Sequence, residues 1–371
     1  MKFIVSSGLL LKNLQSISGI ISTNNVLPIL EDFLFVLEKD KLTIVSTDLE
    51  TMMKVSIHVQ SKEEGSICVQ AKVLLEYLKN LPEQPITFDM NVRDFGIDIT
   101  SEQGKYKVVG EDPKSFPTEP KADDTNSFTM PAAELSDGIA KAIIAVSSDD
   151  LRPAMSGVLF ELGTNNITFV ATDAHRLVRC IKAGVQCPTE GKFIVPKKAL
   201  SQLKNNLGHS TEVTVSYNDN HLFVQGQDLH LSCRLIDAKF PDYKVVIPAD
   251  NPYSLILNKA DFVSALRRVS VFANKTTNQV VLDIVGNNLH LYAQDVDFSF
   301  EGNEQLNCQY NGEDMKIAFN AKLLLELILV TEGDEVLFEL STPTRAGLVK
   351  PVEKKENEDL LMLLMPLMIG V

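Results

Sequence analysis

Apolar and polar residues alternate along three stretches of the chain that share one internal pattern. The stretches are FLFVLEKDKLTIVSTD, which ends at Asp48, VLFELGTNNITFVATD, which ends at Asp173, and VVLDIVGNNLHLYAQD, which ends at Asp295. A period of two is typical of a strand with one buried face. Residues that tolerate a left-handed backbone lie in the middle of each stretch, at Asp40-Lys41, Asn165-Asn166 and Asn287-Asn288. Each stretch is therefore predicted to form a β-hairpin.

A helical pattern precedes and follows each predicted hairpin. Apolar residues spaced for one helix face precede the hairpins at Leu10, Leu14 and Ile17, at Leu135, Ile139 and Ala142, and at Phe262, Leu266 and Val269. A short strand at Phe3, Phe128 or Leu255 comes before each of these helices. The second helices carry Lys72, Lys198 and Lys322 at matching positions. The six helical segments are predicted at 9–22, 70–80, 131–148, 196–207, 258–275 and 320–331.

These landmarks recur at an interval of 122 to 125 residues, and so do Pro117, Pro241 and Pro366. A shared interval predicts three tandem copies of one α+β domain, each built from two similar halves with antiparallel strands and helices kept to one face. Linkers rich in Pro, Asp and Asn at 117–127 and 247–254 separate the copies. The predicted domains are 1–123, 124–250 and 251–371.

Charge is unevenly distributed between the predicted helices and the rest of the chain. The net charge is −14, from 35 basic and 49 acidic residues. The six helical segments together carry +7, so the remaining residues carry −21. Lysine is a good exposed-helix former in any protein, which explains part of this difference. Helices lining the hole of a ring would present their positive charge inward, with the acidic sheets outside.

The composition also argues against several classes of protein. The five cysteines are odd in number and scattered without a C-x-x-C pair, as expected for reduced thiols in the cytoplasm. The histidines lack metal-ligand spacing, so neither a metal nor another cofactor is expected. The first residues lack a signal-peptide cleavage site. The longest apolar run, 360–369, is about half of a membrane span and contains Pro366, so no membrane association is expected.

No catalytic motif of the phosphate-binding, nucleophile-elbow or zinc-protease type occurs in the chain. The segment Thr172-Asp173-Ala174-His175-Arg176 could be interpreted as an acid/base pair or a phosphate clamp. Asp173, however, has counterparts in Asp48 and Asp295, which favours a role in bracing a strand end. His175 and Arg176 have no such counterparts, so they are candidates for a function that the second copy alone performs. We therefore predict that the protein is not an enzyme.

Two other functional classes remain open at this stage. One is a repeat-built scaffold that binds proteins and never contacts DNA, which the net charge favours. The other is a DNA-binding protein that reads base sequence, which requires side chains presented by a groove-entering helix. The basic residues of the predicted helices are spread thinly, which suits contacts with phosphates only.

Across essentially its whole length the chain resembles the bacterial sliding clamps, the beta subunit of the replicative DNA polymerase. The matching segments are MKF at the start, LLKNLQ around Lys12, LPIL at 27–30, TDLE at 47–50, VATDAHRL at 170–177, FIVPKKAL from Phe193, KFPDY at 239–243 and the terminal Met365-Pro366. The resemblance implies a homodimeric ring around duplex DNA, lined by helices and indifferent to base sequence. The implied protein partners are a replicative DNA polymerase subunit, the clamp loader and other proteins that carry the clamp-binding motif.

The resemblance and the helix charges together give a set of candidate DNA-binding cations. The set consists of Lys12, Lys72, Lys79, Arg152, Lys197, Lys198, Lys204, Arg267, Arg268 and Lys275. Family members often place basic or aromatic residues in the loops near Asn24 and at 149–154. Here these loops read TNN and DDLRPA, which leaves Arg152 as their one cation.

The resemblance further implies a peptide site on the second and third domains. We use the term peptide site for Met155, Thr172, His175, Arg176, Leu177, Pro241, Val245, Val246, Leu364, Met365, Pro366 and Leu367. Met, Leu, Val and Pro form an adaptable apolar groove, and His175 and Arg176 would orient an extended peptide. Leu361 and Leu363 are expected in a buried last strand, and Pro366 is expected to take the chain out of the sheet.

The dimer is expected to form head to tail, because a row of three domains leaves a free strand edge at each end. The resemblance implies that the joint lies between Tyr106 of the first domain and Val271 with Phe272 of the third. The alternative is that these three residues belong to the core, where aromatic residues are often buried.

Overall fold

A computed structural model of the chain describes residues 1–22, 27–91 and 93–369. The loop near Asn24 and the last two residues lie outside this description. The chain divides into two compact units, the first made of Met1–Asp137 with Val195–Ile236 and the second of Gly138–Ile194 with Asp237–Val371. No helix of the described residues is both long enough and apolar enough to cross a membrane.

Six α-helices occur in the described residues, one in each predicted helical segment. They are α1 (Ser7–Ser18), α2 (Ala71–Lys79), α3 (Ala132–Ala142), α4 (Lys197–Asn206), α5 (Lys259–Val269) and α6 (Ala321–Leu329). The apolar residues predicted for one face of α1, α3 and α5 are all buried, so the periodicity identified these faces correctly. Side chains cap the starts of α1, α5 and α6, where Ser6, Asn258 and Asn320 accept hydrogen bonds from backbone N–H groups of the first turn.

The strands of the first repeat and of the start of the second are short and antiparallel. They are β1 (Lys2–Ser6), β2 (Asp32–Glu38), β3 (Lys41–Thr47), β4 (Thr51–His58), β5 (Glu64–Gln70), β6 (Pro85–Met90), β7 (Gly96–Thr100), β8 (Lys105–Val109) and β9 (Asn126–Pro131). The next strands are β10 (Gly157–Gly163), β11 (Asn166–Thr172), β12 (Arg176–Ala183), β13 (Gly191–Pro196), β14 (Glu212–Tyr217), β15 (His221–Gln225) and β16 (Leu229–Arg234). The third repeat contributes β17 (Tyr253–Asn258), β18 (Gln279–Val285), β19 (Asn288–Asp295), β20 (Phe300–Asn307), β21 (Gln309–Tyr310), β22 (Met315–Asn320), β23 (Glu335–Leu340), β24 (Gly347–Pro351) and β25 (Glu358–Leu364).

Half of each repeat shares a sheet with half of the next. In the first unit, an eight-stranded sheet has the order β5-β2-β3-β4-β16-β15-β14-β9, so β4 of the first repeat pairs with β16 of the second. In the second unit, a nine-stranded sheet has the order β13-β10-β11-β12-β25-β24-β23-β17-β21, and β12 pairs with β25. The compact units therefore do not coincide with the sequence repeats.

The two remaining sheets have four strands each, one formed by the first repeat and one by the third. Their orders are β1-β6-β7-β8 in the first unit and β20-β19-β18-β22 in the second. Within the described part of the chain, β8 and β20 each pair with only one strand. Each therefore presents an open edge of backbone N–H and C=O groups.

The three predicted hairpins are present, but their turns lie one residue earlier than predicted. The pairs Glu38↔Lys41, Gly163↔Asn166 and Val285↔Asn288 close the hairpins, which leaves two-residue turns at 39–40, 164–165 and 286–287. Lys39 and Gly286 adopt φ of 56° and 54°. In the first and third hairpins, the residue with the left-handed backbone is thus the first residue of the turn. The Asp or Asn of the sequence pattern is the second residue of each turn.

The last strand ends where the sequence predicts. Leu361 and Leu363 are buried in β25, and the strand stops at Leu364. Beyond it, the Leu367 N–H donates to the Ala318 carbonyl at 2.8 Å. The terminal segment therefore leaves the sheet at Met365-Pro366, as the missing N–H of proline requires.

Candidate functional site

The candidate DNA-binding cations lie on or beside the helices, with Arg152 as the exception. Lys12 is on α1, Lys72 and Lys79 are on α2, and Lys197, Lys198 and Lys204 are on α4. Arg267 and Arg268 are on α5, and Lys275 follows the 3-10 helix Ser270–Phe272. All are exposed except Lys204, which is half-buried. Arg152 lies in the loop before β10.

Three of these cations are already paired with a carboxylate of the same chain. The Lys198 Nζ lies 2.5 Å from Asp48, and the Arg152 Nε lies 2.8 Å from Asp149. Arg268 forms a two-point ion pair with Glu304, at 2.7 and 2.6 Å. This pairing raises the pKa of Arg268 and lowers that of Glu304, mainly through the hydrogen bonds between them.

The other candidates are more available to an external anion. No ion pair within the described ranges involves Lys72, Lys79, Lys197, Lys204, Arg267 or Lys275. The Lys275 Nζ donates to the Val271 carbonyl at 3.2 Å.

The peptide site contains a tight turn between β11 and β12. The Thr172 hydroxyl donates to the Arg176 carbonyl at 2.7 Å, and the Asp173 Oδ1 accepts from the N–H groups of His175 and Arg176, both at 2.9 Å. Ala174 at the tip has φ of 76°, a left-handed conformation. The turn leaves His175 exposed. Asp173 thus braces a strand end, as its repeat counterparts suggest.

Arg176 is buried, with 7% of its side chain exposed. Its Nε lies 3.1 Å from Asp173, and one terminal nitrogen lies 2.6 Å from Glu326 on α6. Its other terminal nitrogen donates to the Ile144 carbonyl. The guanidinium is therefore held by three acceptors of its own chain.

The terminal segment passes beside this turn. Arg176 and Leu364 are register partners in β12 and β25, and the Met365 N–H donates to the His175 carbonyl at 2.8 Å. Leu177 and Leu364 are buried in these strands, whereas Met365 is exposed and Pro366 and Leu367 are half-buried. Thr172, His175, Arg176 and Leu177 are thus brought together with 364–367.

The remaining members of the peptide site lie on two other segments of the second unit. Met155 ends the short 3-10 helix Pro153–Met155 and is half-buried. Pro241, Val245 and Val246 lie near the end of the second repeat, before the linker at 247–254, and are exposed, Val245 at 75%. Exposed valines of this kind are available for apolar contact with a ligand.

The three residues predicted at the dimer joint are exposed, Tyr106 at 41%, Val271 at 61% and Phe272 at 39%. They are therefore not core residues of this chain. Tyr106 lies on the open strand β8, with its ring 4.6 Å from that of Tyr77. Both rings line a surface cavity of about 420 Å³, together with Val69, Val73, Leu74 and Val109.

On the other open edge, Phe272 packs against the backbone of β20. A Cβ at Gly302 would lie 2.6 Å from the Phe272 ring, so glycine is what lets the ring approach the strand. Val296, Phe298 and Phe300 extend the exposed apolar surface at this end, and the rings of Phe298 and Phe300 stack at 5.8 Å. Sequence reasoning missed this aromatic pair, although Phe298 and Phe300 do show an apolar, polar, apolar alternation.

Sequence reasoning also missed the partners of Arg176 and Lys198. Glu326 and Ile144 are far from Arg176 in the chain, and Asp48 is 150 residues from Lys198. The repeat interval carried a signal for these partners. Ile20 and Ile144 are 124 residues apart in the sequence, and Asp48 and Asp173 are 125 residues apart.

Comparison with known proteins gives the same three-part organisation along the whole chain. Family models of the DNA polymerase III beta subunit match in order, the N-terminal domain at 1–120, the central domain at 129–242 and the C-terminal domain at 244–367. The beta sliding clamp of Pseudomonas aeruginosa is 26% identical over 370 residues, covering 99% of this chain and 100% of the relative. That of Halalkalibacterium halodurans is 27% identical over 372 residues, covering 96% and 97%.

Solved structures of sliding clamps share the fold over the full length. The DnaN sliding clamp of Pseudomonas aeruginosa bound to griselimycin matches with a TM-score of 0.92 at 25% identity, and both chains are covered completely. The beta subunit of Thermotoga maritima matches with a TM-score of 0.90 at 25% identity, again over the whole of both chains. The chain therefore belongs to the DNA polymerase III beta subunit family, the sliding clamps that serve as processivity factors of that polymerase.

Proposed function

We propose that two copies of this chain close head to tail into a ring that encircles duplex DNA and tethers the replicative polymerase to it. The domains of each copy are the three repeats, 1–123, 124–250 and 251–371. The observation that carries the proposal is the pair of open strand edges, β8 in the first unit and β20 in the second. Such edges invite pairing with another chain, and a two-fold operation satisfies both at once.

The two edges are complementary in charge and in apolar character. β8 carries Lys105 and β20 carries Glu301, whereas Lys107 and Glu304 on the same strands already pair with Asp98 and Arg268 of their own chain. The cavity beside Tyr106 is lined by apolar side chains, and Phe272 with Val271 is exposed beside β20. Burying these groups against each other would remove apolar surface from water and fix the register of the edge strands.

DNA contact in the proposed ring comes from the cations on the helices. Their side chains are long and separated, so they suit phosphates and water-mediated contacts rather than base edges. Persistence on DNA would then come from topology, which explains how an acidic protein can stay on a polyanion. The ring performs no reaction and works in the cytoplasm, where the replicative polymerase and its template are found.

Partner proteins would bind at the peptide site. Its exposed members Val245, Val246 and Met365 offer apolar contacts that can repack around different sequences. The clamp loader and the polymerase would therefore compete for one apolar surface on each copy.

Primer extension on a long single-stranded circle, with polymerase III core and clamp loader supplied, tests the proposed function. Adding the chain should lengthen the products made in a single binding event. Reversing the charge of Lys72, Lys197 and Arg267 together should shorten them again. Product lengths that do not respond to the chain would favour the alternative, a protein-binding scaffold without DNA contact.

A further inference from the structure

Lys198 connects two separate parts of the first unit. From α4 of the second repeat, its Nζ donates to the Ile20 carbonyl, two residues beyond α1, at 2.7 Å. The same nitrogen lies 2.5 Å from the Asp48 Oδ2, in the turn that follows the first hairpin. The Asp48 Oδ1 accepts from the Glu50 and Thr51 N–H groups at 3.1 and 2.7 Å, so the carboxylate is shared between the turn and the lysine.

Arg176 makes the equivalent connection in the second unit. It binds the Asp173 Oδ2 in the turn after the second hairpin and the Ile144 carbonyl two residues beyond α3. The Asp173 Oδ1 again holds the turn through two N–H groups. The next repeat takes part through Glu326 on α6, which lies 2.6 Å from the guanidinium.

The two sets of acceptors are repeat counterparts. Ile144 lies 124 residues after Ile20, and Asp173 lies 125 residues after Asp48. The cation, however, comes from opposite sides of the contact. In the first unit it comes from the helix of the next repeat, and the position corresponding to Arg176 is Thr51. In the second unit it comes from the turn itself.

The position that corresponds to Lys198 in the third repeat is Lys322. In the structure described, the Lys322 ammonium makes neither an ion pair nor a hydrogen bond. In each of these two contacts, one cation therefore binds both the carboxylate of the turn and the carbonyl beyond the helix. If the contact requires one positive charge, either the helix of the next repeat or the turn can supply it, and the two units use different sources.

We propose that Lys198 and Arg176 are positioning residues, each of which fixes the turn after a hairpin against the next repeat. On this account the Lys198 ammonium is engaged by Asp48 rather than by a phosphate, and the Arg176 guanidinium is engaged by acceptors of its own chain rather than by the charge of a bound peptide. Arg176 instead holds the turn that carries His175. The statements about phosphate and peptide rest on the proposed function, whereas the two connections stand without it.

Lys198 can be tested against its neighbour Lys197, which is also exposed on α4 but has no ion-pair partner in the described part of the chain. Lys198→Met should lower the melting temperature by about 2–4 °C and leave unchanged the salt dependence of binding to a short fluorescent duplex. Lys197→Met should leave the melting temperature unchanged and should reduce the slope of log affinity against log salt concentration by about 0.9. A changed slope with an unchanged melting temperature for Lys198→Met would overturn the proposal.

Asp48 provides a second, independent variant for the same connection. Asp48→Asn should lower the melting temperature as Lys198→Met does, and the loss in the double variant should be clearly smaller than the sum of the two single losses, because the Lys198–Asp48 ion pair is lost in all three. Additive losses would show that the two residues act separately. If the unmodified protein is not retained on circular DNA, the proposed function fails, and this cycle still decides the connection.

Arg176 is tested with two peptides that contain glutamine followed by leucine and phenylalanine, one neutral and one with an added aspartate. Arg176→Met should weaken both by the same factor, about tenfold, and should speed hydrogen exchange at the His175 amide. Arg176→Lys should restore part of both effects. Loss confined to the acidic peptide, with unchanged exchange, would mean that Arg176 binds the peptide itself. If neither peptide binds the unmodified protein, the proposed peptide site is wrong. The hydrogen-exchange rates at the His175 amide then test by themselves whether Arg176 holds the turn.

Discussion

Asp32 is a buried carboxyl that does not belong to any of the proposed sites. It lies at the start of β2 with 4% of its surface exposed. Burial, together with the nearby carboxylates of Glu111 and Glu31, raises its pKa to about 7. The folded protein therefore binds a proton at Asp32 that the unfolded chain releases near pH 4.

The raised pKa gives a sign to the pH dependence of stability. Stability from protonated Asp32 is fully present below the unfolded pKa and is lost as the pH rises through about 7. The stability that Asp32→Asn adds to the protein should therefore be about 2 kcal/mol larger at pH 8 than at pH 4. Urea unfolding of both proteins at the two pH values measures this difference. An equal effect of the substitution at both would contradict the raised pKa.

At the scale of elements, the linker after the first repeat is fastened across the seam of the eight-stranded sheet. Lys54 on β4 and His230 on β16 are register partners, and Glu119 of the linker lies 2.5 Å from each. Burial of Glu119 would raise its pKa, but the hydrogen bonds from His230 and Lys54 outweigh burial and lower the pKa to about 2. The ionised carboxylate thus stabilises the joint between two repeats.

Glu119→Gln removes this stabilisation. The contribution is present above the unfolded pKa of 4.5 and is lost as the pH falls through about 2. We expect the variant to be about 1–3 kcal/mol less stable than the unmodified protein at pH 7. This difference in stability should become smaller below pH 4.5. Urea midpoints at pH 7 and pH 3.5 measure this, with Glu38 as the control position for the same substitution, because its side chain is exposed and takes part in no ion pair among the described residues. A gap that is independent of pH would exclude the carboxylate charge as the cause.

The elements themselves could be predicted because they depend on local pattern and on repetition. Alternation identified the hairpins, and spacing identified the buried faces of α1, α3 and α5. The joining of β4 to β16 could not be predicted, because a strand's pattern shows which face is buried but not which strand lies beside it. The same limit hid the contacts of Arg176 with Glu326 and of Lys198 with Asp48.

At the scale of the whole molecule, the dimer is the first property to test. Phe272→Asp places a charge on the apolar surface beside β20 and should give monomers in sedimentation velocity, because a buried unpaired carboxylate opposes association. Leu151→Asp is the matched control, since Leu151 is 91% exposed in a loop of the second repeat. Dimers that persist in the Phe272 variant would remove this residue from the joint.

The terminal segment is the most direct test of the peptide site. Deleting 365–371 should abolish binding of the neutral peptide, expected at a micromolar dissociation constant near −8 kcal/mol. The dimer should remain intact, because the deleted segment is distant in sequence from β8 and β20. Isothermal titration together with sedimentation checks both statements. Unchanged peptide affinity would place the site elsewhere on the chain.

Topological retention on DNA tests the central claim most directly. The chain is loaded onto a nicked circular plasmid by the clamp loader and passed through a sizing column in high salt, before and after the plasmid is cut once. Persistence by encirclement predicts that the protein elutes with the circle and is lost from the cut DNA, because direct phosphate contacts weaken steeply with salt whereas a closed ring does not. Equal retention on circular and linear DNA, or no retention on either, would contradict the account.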